Sequence, residues 1–135
     1  MNKVQRKLEY SLMALKHMSH KRPGELTSAK EVSDSYHAPF DATAKVMQQM
    51  AQAGILRVEH GAMGGYQITK DLGRISLYEL MNIVQGPSAI TKCFQKDEPC
   101  EIQTKCNILS PITNLNNRLN DFYKNLSLKD LLLRP

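Results

Sequence analysis

The 135-residue chain has no tryptophan, and aromatic residues make up only 6% of it. So little aromatic surface argues against a large aromatic-lined ligand pocket. No apolar run approaches the roughly 18 residues needed to cross a bilayer, so no membrane partner is expected. The basic start MNKVQRKLEYSLMALKHM is not expected to act as a secretory leader, because Glu9, Lys16 and His17 interrupt any apolar stretch. A cytoplasmic protein is therefore expected. The sequence has no G-x-G-x-x-G fingerprint for a dinucleotide, no internal repeat and no low-complexity segment. It also lacks the C-x2-C pairs that structural zinc sites favour. There are three cysteines, an awkward number for disulfides. In a reducing compartment, clustered thiols more often serve as ligands or redox sensors than as bridges.

What is present suits one domain with an appended element. Hydrophobic residues are 41% of the chain, enough for a modest core, and the net charge is +5. That charge fits a polyanionic partner such as nucleic acid, although many soluble proteins are equally basic. Val4, Leu8, Leu12, Leu15 and Met18 recur at helical spacing and predict a first helix over about 3–19. Ser28 and Glu31 form an S-x-x-E capping box for a short helix ending near Tyr36. After a tight turn, Pro39 suits the first position of a second helix, which closes at Gly54. This is the helix-turn-helix outline. Ile55–Glu59 and Tyr66–Thr69 are β-rich runs joined by a glycine-rich loop, hence a hairpin. Ser76 and Glu79 make a second capping box, opening a helix with Leu77, Leu80, Met81 and Val84 on its apolar stripe. Ile108, Ile112, Leu115, Leu119, Phe122 and Leu126 then alternate by four and three, like a coiled-coil seam running about 28 Å. Ser127 and Asp130 are placed to cap a last short turn. The expected fold is mainly α: a winged helix-turn-helix with a two-stranded wing and a long C-terminal dimerisation helix. Residues 1–87 are expected to form the DNA-binding domain, 88–107 a cysteine-bearing loop, and 108–135 the dimerisation helix and closing turn.

The second helix of the motif should lie in the major groove of double-stranded DNA. Val46, Met50 and Ala53 are expected to face the core. Asp41, Ala42, Thr43, Lys45, Gln48, Gln49 and Gln52 are left for solvent or DNA. Gln can bridge adenine N6 and N7, Lys can reach guanine or phosphate, and Asp can accept from cytosine N4. The plainer reading is a solvated helix face whose Asp41 complements the helix dipole. Ser28, at the start of the motif, is counted with the DNA-facing set. In the wing, Arg57 can pair with phosphate, and His60 sits where a tip enters a minor groove. Gly61, Gly64 and Gly65 permit close approach of the backbone. The alternative is a hairpin that needs glycine only for its turn. A homodimer on a near-palindromic operator is expected, because symmetric operators call for two modules.

Cys93, Cys100 and Cys106 all fall within KCFQKDEPCEIQTKC. An iron–sulfur cluster, a pair of redox thiols, and zinc or no ligand at all remain open from the spacing. Lys92, Lys96 and Lys105 lie close in sequence, and Cys106 is near the start of the long helix. The lysines offset the charge of a thiolate cluster.

LRVEHGAMGGYQITKDLGRISLYELMNIV followed by three cysteines of this spacing resembles the Rrf-two family of bacterial winged-helix transcription regulators. The EYSLMAL helix and the closing NRLNDFYKNLSLKDLL resemble it too. That resemblance implies a dimeric DNA-binding regulator, not an enzyme, with an iron–sulfur cluster on Cys93, Cys100 and Cys106, 2Fe-2S before 4Fe-4S. It also implies sensing of iron, redox state or nitric oxide. The histidine that the cluster-biogenesis member carries after its last cysteine is replaced here by Leu109. Other members draw a carboxylate from the first helix, and alignment through EYSLMAL puts Glu9 at that position. Glu9 is therefore the candidate fourth ligand, with His17, His37, His60 and water as weaker ones; the plainer reading is a surface pair with Arg6. A cluster-free redox-thiol regulator, or a DNA-binding module with vestigial cysteines, are the other readings.

Overall fold

The computed structural model describes residues 4–87, 101–102 and 105–134. The elements run α1 (Arg6–Ser19), α2 (Ala29–Tyr36), α3 (Phe40–Gln52), β1 (Leu56–Glu59), β2 (Gly65–Ile68), a 3-10 turn (Leu72–Arg74), α4 (Leu77–Val84), α5 (Leu109–Asn125) and α6 (Leu128–Leu133). This is the expected mainly helical winged helix. Residues 88–100 and 103–104 of the expected cysteine loop, including Cys93 and Cys100, lie outside the described residues.

The helix boundaries follow local chemistry. Ser28, Ser76 and Ser127 each cap a helix, their Oγ atoms accepting from the N–H groups of Glu31, Glu79 and Asp130 at 3.0, 3.1 and 3.0 Å. Only the serine half of the first two capping boxes forms, because the glutamates turn elsewhere. Glu31 is engaged by His17 and Lys21, and Glu79 by Lys70. At the end of α3, Gly54 adopts φ +84°. Its N–H reaches Ala51 and that of Ile55 reaches Met50, at 3.1 and 3.0 Å. This is the left-handed glycine cap that satisfies the last helical carbonyls.

Several expectations shift. α1 begins at Arg6 rather than near residue 3, and Val4 lies outside it, half exposed. Pro39 is the cap before α3, not its first residue. Ala53, expected in the core, is exposed one residue past the helix. Ile55 is consumed by the cap, so β1 starts at Leu56. β2 starts at Gly65, which pairs with Glu59.

The core joins Leu8 and Leu15 of α1, Val32 of α2, Val46, Met47 and Met50 of α3, Leu80 and Val84 of α4, and Leu128 of α6. Two backbone bridges close it. Thr27 exchanges bonds with Tyr66 at 2.9 and 2.8 Å, tying the segment before α2 to the wing. Leu77 donates to Leu126, and Leu128 to Ile75, both at 2.8 Å, tying the end of α5 to the start of α4. None of the described helices is long and apolar enough to cross a membrane.

Candidate nucleic-acid interface and cysteine segment

The angle between α2 and α3 is set by a short turn. His37 takes the left-handed conformation, φ 55°, which costs a non-glycine residue energy and needs support from its surroundings. That support is Ser33. Its Oγ donates to the Ala38 carbonyl at 2.7 Å, and its own carbonyl accepts from the Ala38 N–H at 3.1 Å. Ser33 and Ala38 are both buried, so the turn is fixed from inside.

A second brace joins α1 to α2. The His17 Nε2–H donates to the Glu31 carboxylate, which also receives Lys21 Nζ at 2.7 Å. The other ring nitrogen is 2.7 Å from the Tyr36 hydroxyl. The bonds from Lys21 and then His17 hold the Glu31 carboxyl below its ordinary value of 4.5.

With α3 held this way, its inner face is Thr43, Val46, Met47 and Met50. Asp41, Lys45, Gln48 and Gln52 are exposed, at spacings of four, three and four, and form one solvent-facing stripe. Ala42 and Gln49 are half-buried at its margins. Thr43, expected on the outer face, is fully buried, and its hydroxyl donates to the Pro39 carbonyl at 2.8 Å. The threonine hydroxyl was satisfiable by the backbone one turn back, so a polar side chain could be spent on the inner face. Ser28, half-buried, spends its hydroxyl on capping α2.

The wing is anchored where Gly65 meets Thr27: a Cβ there would stand 3.0 Å from the Thr27 carbonyl oxygen. At Gly64 a Cβ would collide with the Glu59 carbonyl, so the turn requires glycine. Arg57 is exposed but already paired, its Nε 3.2 Å from the Glu59 carboxylate. A phosphate would have to displace Glu59. His60 and Gly61 are exposed at the tip. Sequence reasoning passed over two exposed apolar side chains on this region, Phe40 at the first position of α3, 51% exposed, and Met63 at the wing tip, 90% exposed. Their signal was an apolar residue at a position whose turn or cap chemistry does not need one.

α5 buries no residue completely. Its expected seam divides in two. Ile112, Leu119 and Leu126 are half-buried, and Leu126 packs on the core. Ile108, Leu115 and Phe122 are exposed, at 53, 47 and 62%.

Cys106 is a free, half-buried thiol three residues before α5. Glu9 lies on α1 with its carboxylate 3.0 Å from Arg6 Nη1, in a partly exposed pair. Such a pair is worth only a few tenths of a kcal/mol and is easily exchanged for a better partner. Among the described residues no three His, Cys, Asp or Glu side chains gather to hold a metal.

The sequence model of the family Rrf2, described as "Iron-dependent Transcriptional regulator", matches residues 4–134. The HTH-type transcriptional regulator NsrR of Bacillus subtilis (strain 168) is 26% identical over 113 residues, covering 84% of this chain and 73% of that protein. In fold, the chain is similar to CymR (YrzC), the global cysteine regulator of B. subtilis, with a TM-score of 0.73 at 19% identity, covering 98% of this chain and 97% of that one. It is also similar to the oxidized form of Staphylococcus aureus CymR, with a TM-score of 0.71 at 21% identity and 98% of each chain covered.

Proposed function

This chain belongs to the Rrf2 family of transcriptional regulators, and from that premise we propose that it is a homodimeric repressor that reads a near-palindromic operator and senses iron, redox state or nitric oxide through an iron–sulfur cluster. It is a regulator and not an enzyme. Residues 1–87 would bind DNA, 88–107 would carry the sensor, and 108–135 would pair the two copies.

The observation that carries the DNA reading is the outer stripe of α3, Asp41, Lys45, Gln48 and Gln52. It stands on a helix whose orientation is fixed by Ser33 and Ala38. Amide and ammonium groups at this spacing match the donor and acceptor edges of the major groove. Gln49 and Ala42 would border the contact, and the wing, through Arg57, His60 and the backbone at Gly61, Gly64 and Gly65, would follow the adjacent minor groove. The buried hydroxyl of Thr43 takes no part.

The sensor reading rests on the chemistry of the donor set. Three soft thiolates, Cys93, Cys100 and Cys106, suit iron in a sulfide cluster. A cluster supplies a redox- and ligand-sensitive charge that can bias the chain between two arrangements. Glu9 would complete the ligand set by exchanging Arg6 for iron. The likeness to a CymR solved in an oxidized form favours a second reading, a cluster-free regulator whose thiols pair on oxidation.

Selection of duplexes from a random pool by the anaerobically purified chain tests the DNA reading. A near-palindrome should emerge, with half-sites about one helical turn apart. Lys45→Ala or Gln48→Ala should relax preference at single base pairs by about 1–3 kcal/mol. If no duplex is enriched, the reading fails. For the sensor, Cys106→Ala should abolish the visible absorption of the protein. A colourless wild-type protein that gains a disulfide under oxidant would establish the second reading instead.

A further inference from the structure

Met63 is the most exposed large apolar side chain among the described residues, at 90%. It contributes nothing to the turn that carries it. That turn is made by glycines: the Gly64 N–H donates to the Gly61 carbonyl at 3.0 Å, and Gly61 holds φ +114°. Hairpin tips ordinarily take Gly, Asn, Asp or Ser for their backbone chemistry. A thioether there leaves apolar surface in water with no return in the free chain. The tip is also held in place, because the hairpin is pinned to the body by the Thr27–Tyr66 bridge. Arg57, Glu59 and His60 line the same shallow cleft as Met63, so an apolar side chain is presented beside two groups suited to phosphate, one of them held by the Glu59 carboxylate until a phosphate displaces it.

A duplex minor groove offers that combination: phosphate rails outside, and apolar sugar walls and base edges inside. Unbranched, polarisable Met adapts to such a surface, and minor-groove proteins use Met as an apolar wedge at base steps. We infer that Met63 is an apolar operator contact, seated against the minor groove beside the half-site read by α3. This rests on the DNA-reading function proposed above.

The test uses the full chain and the duplex it selects, with affinity followed across salt concentrations. Removing most of a buried Met side chain should weaken binding roughly tenfold. Met63→Ala should therefore lose about that factor, and Met63→Leu should stay within about threefold of wild type, since the two side chains have similar volume. An apolar contact releases no counterions, so the log–log salt slope of Met63→Ala should equal that of wild type. Arg57→Ala serves as the contrast, its slope becoming shallower by about 0.9 if it neutralises one phosphate. Thermal stability and oligomeric state of Met63→Ala should match wild type, because the side chain touches no core. Wild-type affinity in Met63→Ala overturns the inference. So does a changed slope, or a loss of affinity that follows a change in oligomeric state and so marks Met63 as a protein contact. A wild-type chain that selects no duplex removes the DNA reading itself, and the inference with it.

Discussion

α3 and α5 are the two amphipathic helices on which the proposed function depends, and they are finished differently. α3 has 13 residues, four of them completely buried: Thr43, Val46, Met47 and Met50. α5 has 17 residues and a regular apolar repeat, yet buries none. Ile112 and Leu119 are half-buried and Leu126, just past its end, packs on the core, while Ile108, Leu115 and Phe122 are exposed. An apolar stripe is completed by whatever covers it. For α3 the cover is α1, α2 and α4 of the same chain. For α5, among the described residues, Ile108, Leu115 and Phe122 stay exposed, and in the homodimer proposed above a second copy about a two-fold axis would cover them. On the function proposed above, the helix assigned to reading is finished within the monomer, and the helix assigned to pairing keeps an exposed apolar row.

The largest effects should come from the finished side of this contrast. Leu15→Ala or Met47→Ala should lower the unfolding free energy by about 2–5 kcal/mol, the usual cost of truncating a fully buried side chain. Denaturant titration checks it, with Leu115→Ala, which the comparison predicts to be mild within the isolated chain, as the control. Next, Leu115→Glu with Phe122→Glu should raise the dimer dissociation constant at least about a hundredfold, as loss of central apolar anchors does. Sedimentation of the double variant should show monomers that keep the helical content of wild type. A double variant that stays dimeric removes the interface.

Much of this contrast was legible in the sequence. The three serine caps and the glycine after α3 are local signals, and each stands where its spacing put it. The heptad-like repeat of α5 showed that an apolar face exists. It could not show that Ile112, Leu119 and Leu126 are half-buried while Ile108, Leu115 and Phe122 are exposed, because periodicity marks a face and not its cover. The two misplacements have separate causes. Thr43 was assigned to solvent by residue type, but its hydroxyl found the Pro39 carbonyl. Ala53 was assigned to the core by spacing, but the helix ended one residue earlier. The Thr27–Tyr66 and Ile75–Leu128 bridges join segments far apart in sequence and leave no local mark. The pairing of Arg57 with Glu59 is local, since residues two apart on β1 share a face, and it makes the wing's cation less available than its charge suggests.

Smaller effects sharpen the rigid side further. Ser33→Ala deletes the bond that fixes the turn before α3 and should cost about 1 kcal/mol of stability. It should weaken operator binding more than an exposed control such as Lys30→Ala. The smallest effect concerns acid. Because Lys21 and His17 hold the Glu31 carboxyl below 4.5 in the folded chain, its contribution is complete above that pH and is lost as pH falls through the lowered value. The melting-temperature difference between wild type and Glu31→Gln should therefore shrink as the pH drops below 4.5. Partial exposure of the pair keeps the difference small.

Native mass spectrometry of the full chain, purified without oxygen, bears on both halves of the account at once. The prediction is a species of two 15.3 kDa chains that carries additional mass in iron and sulfide, and that loses this mass in Cys106→Ala while remaining two chains. A wild-type spectrum showing one 15.3 kDa chain with no iron or sulfide would contradict it.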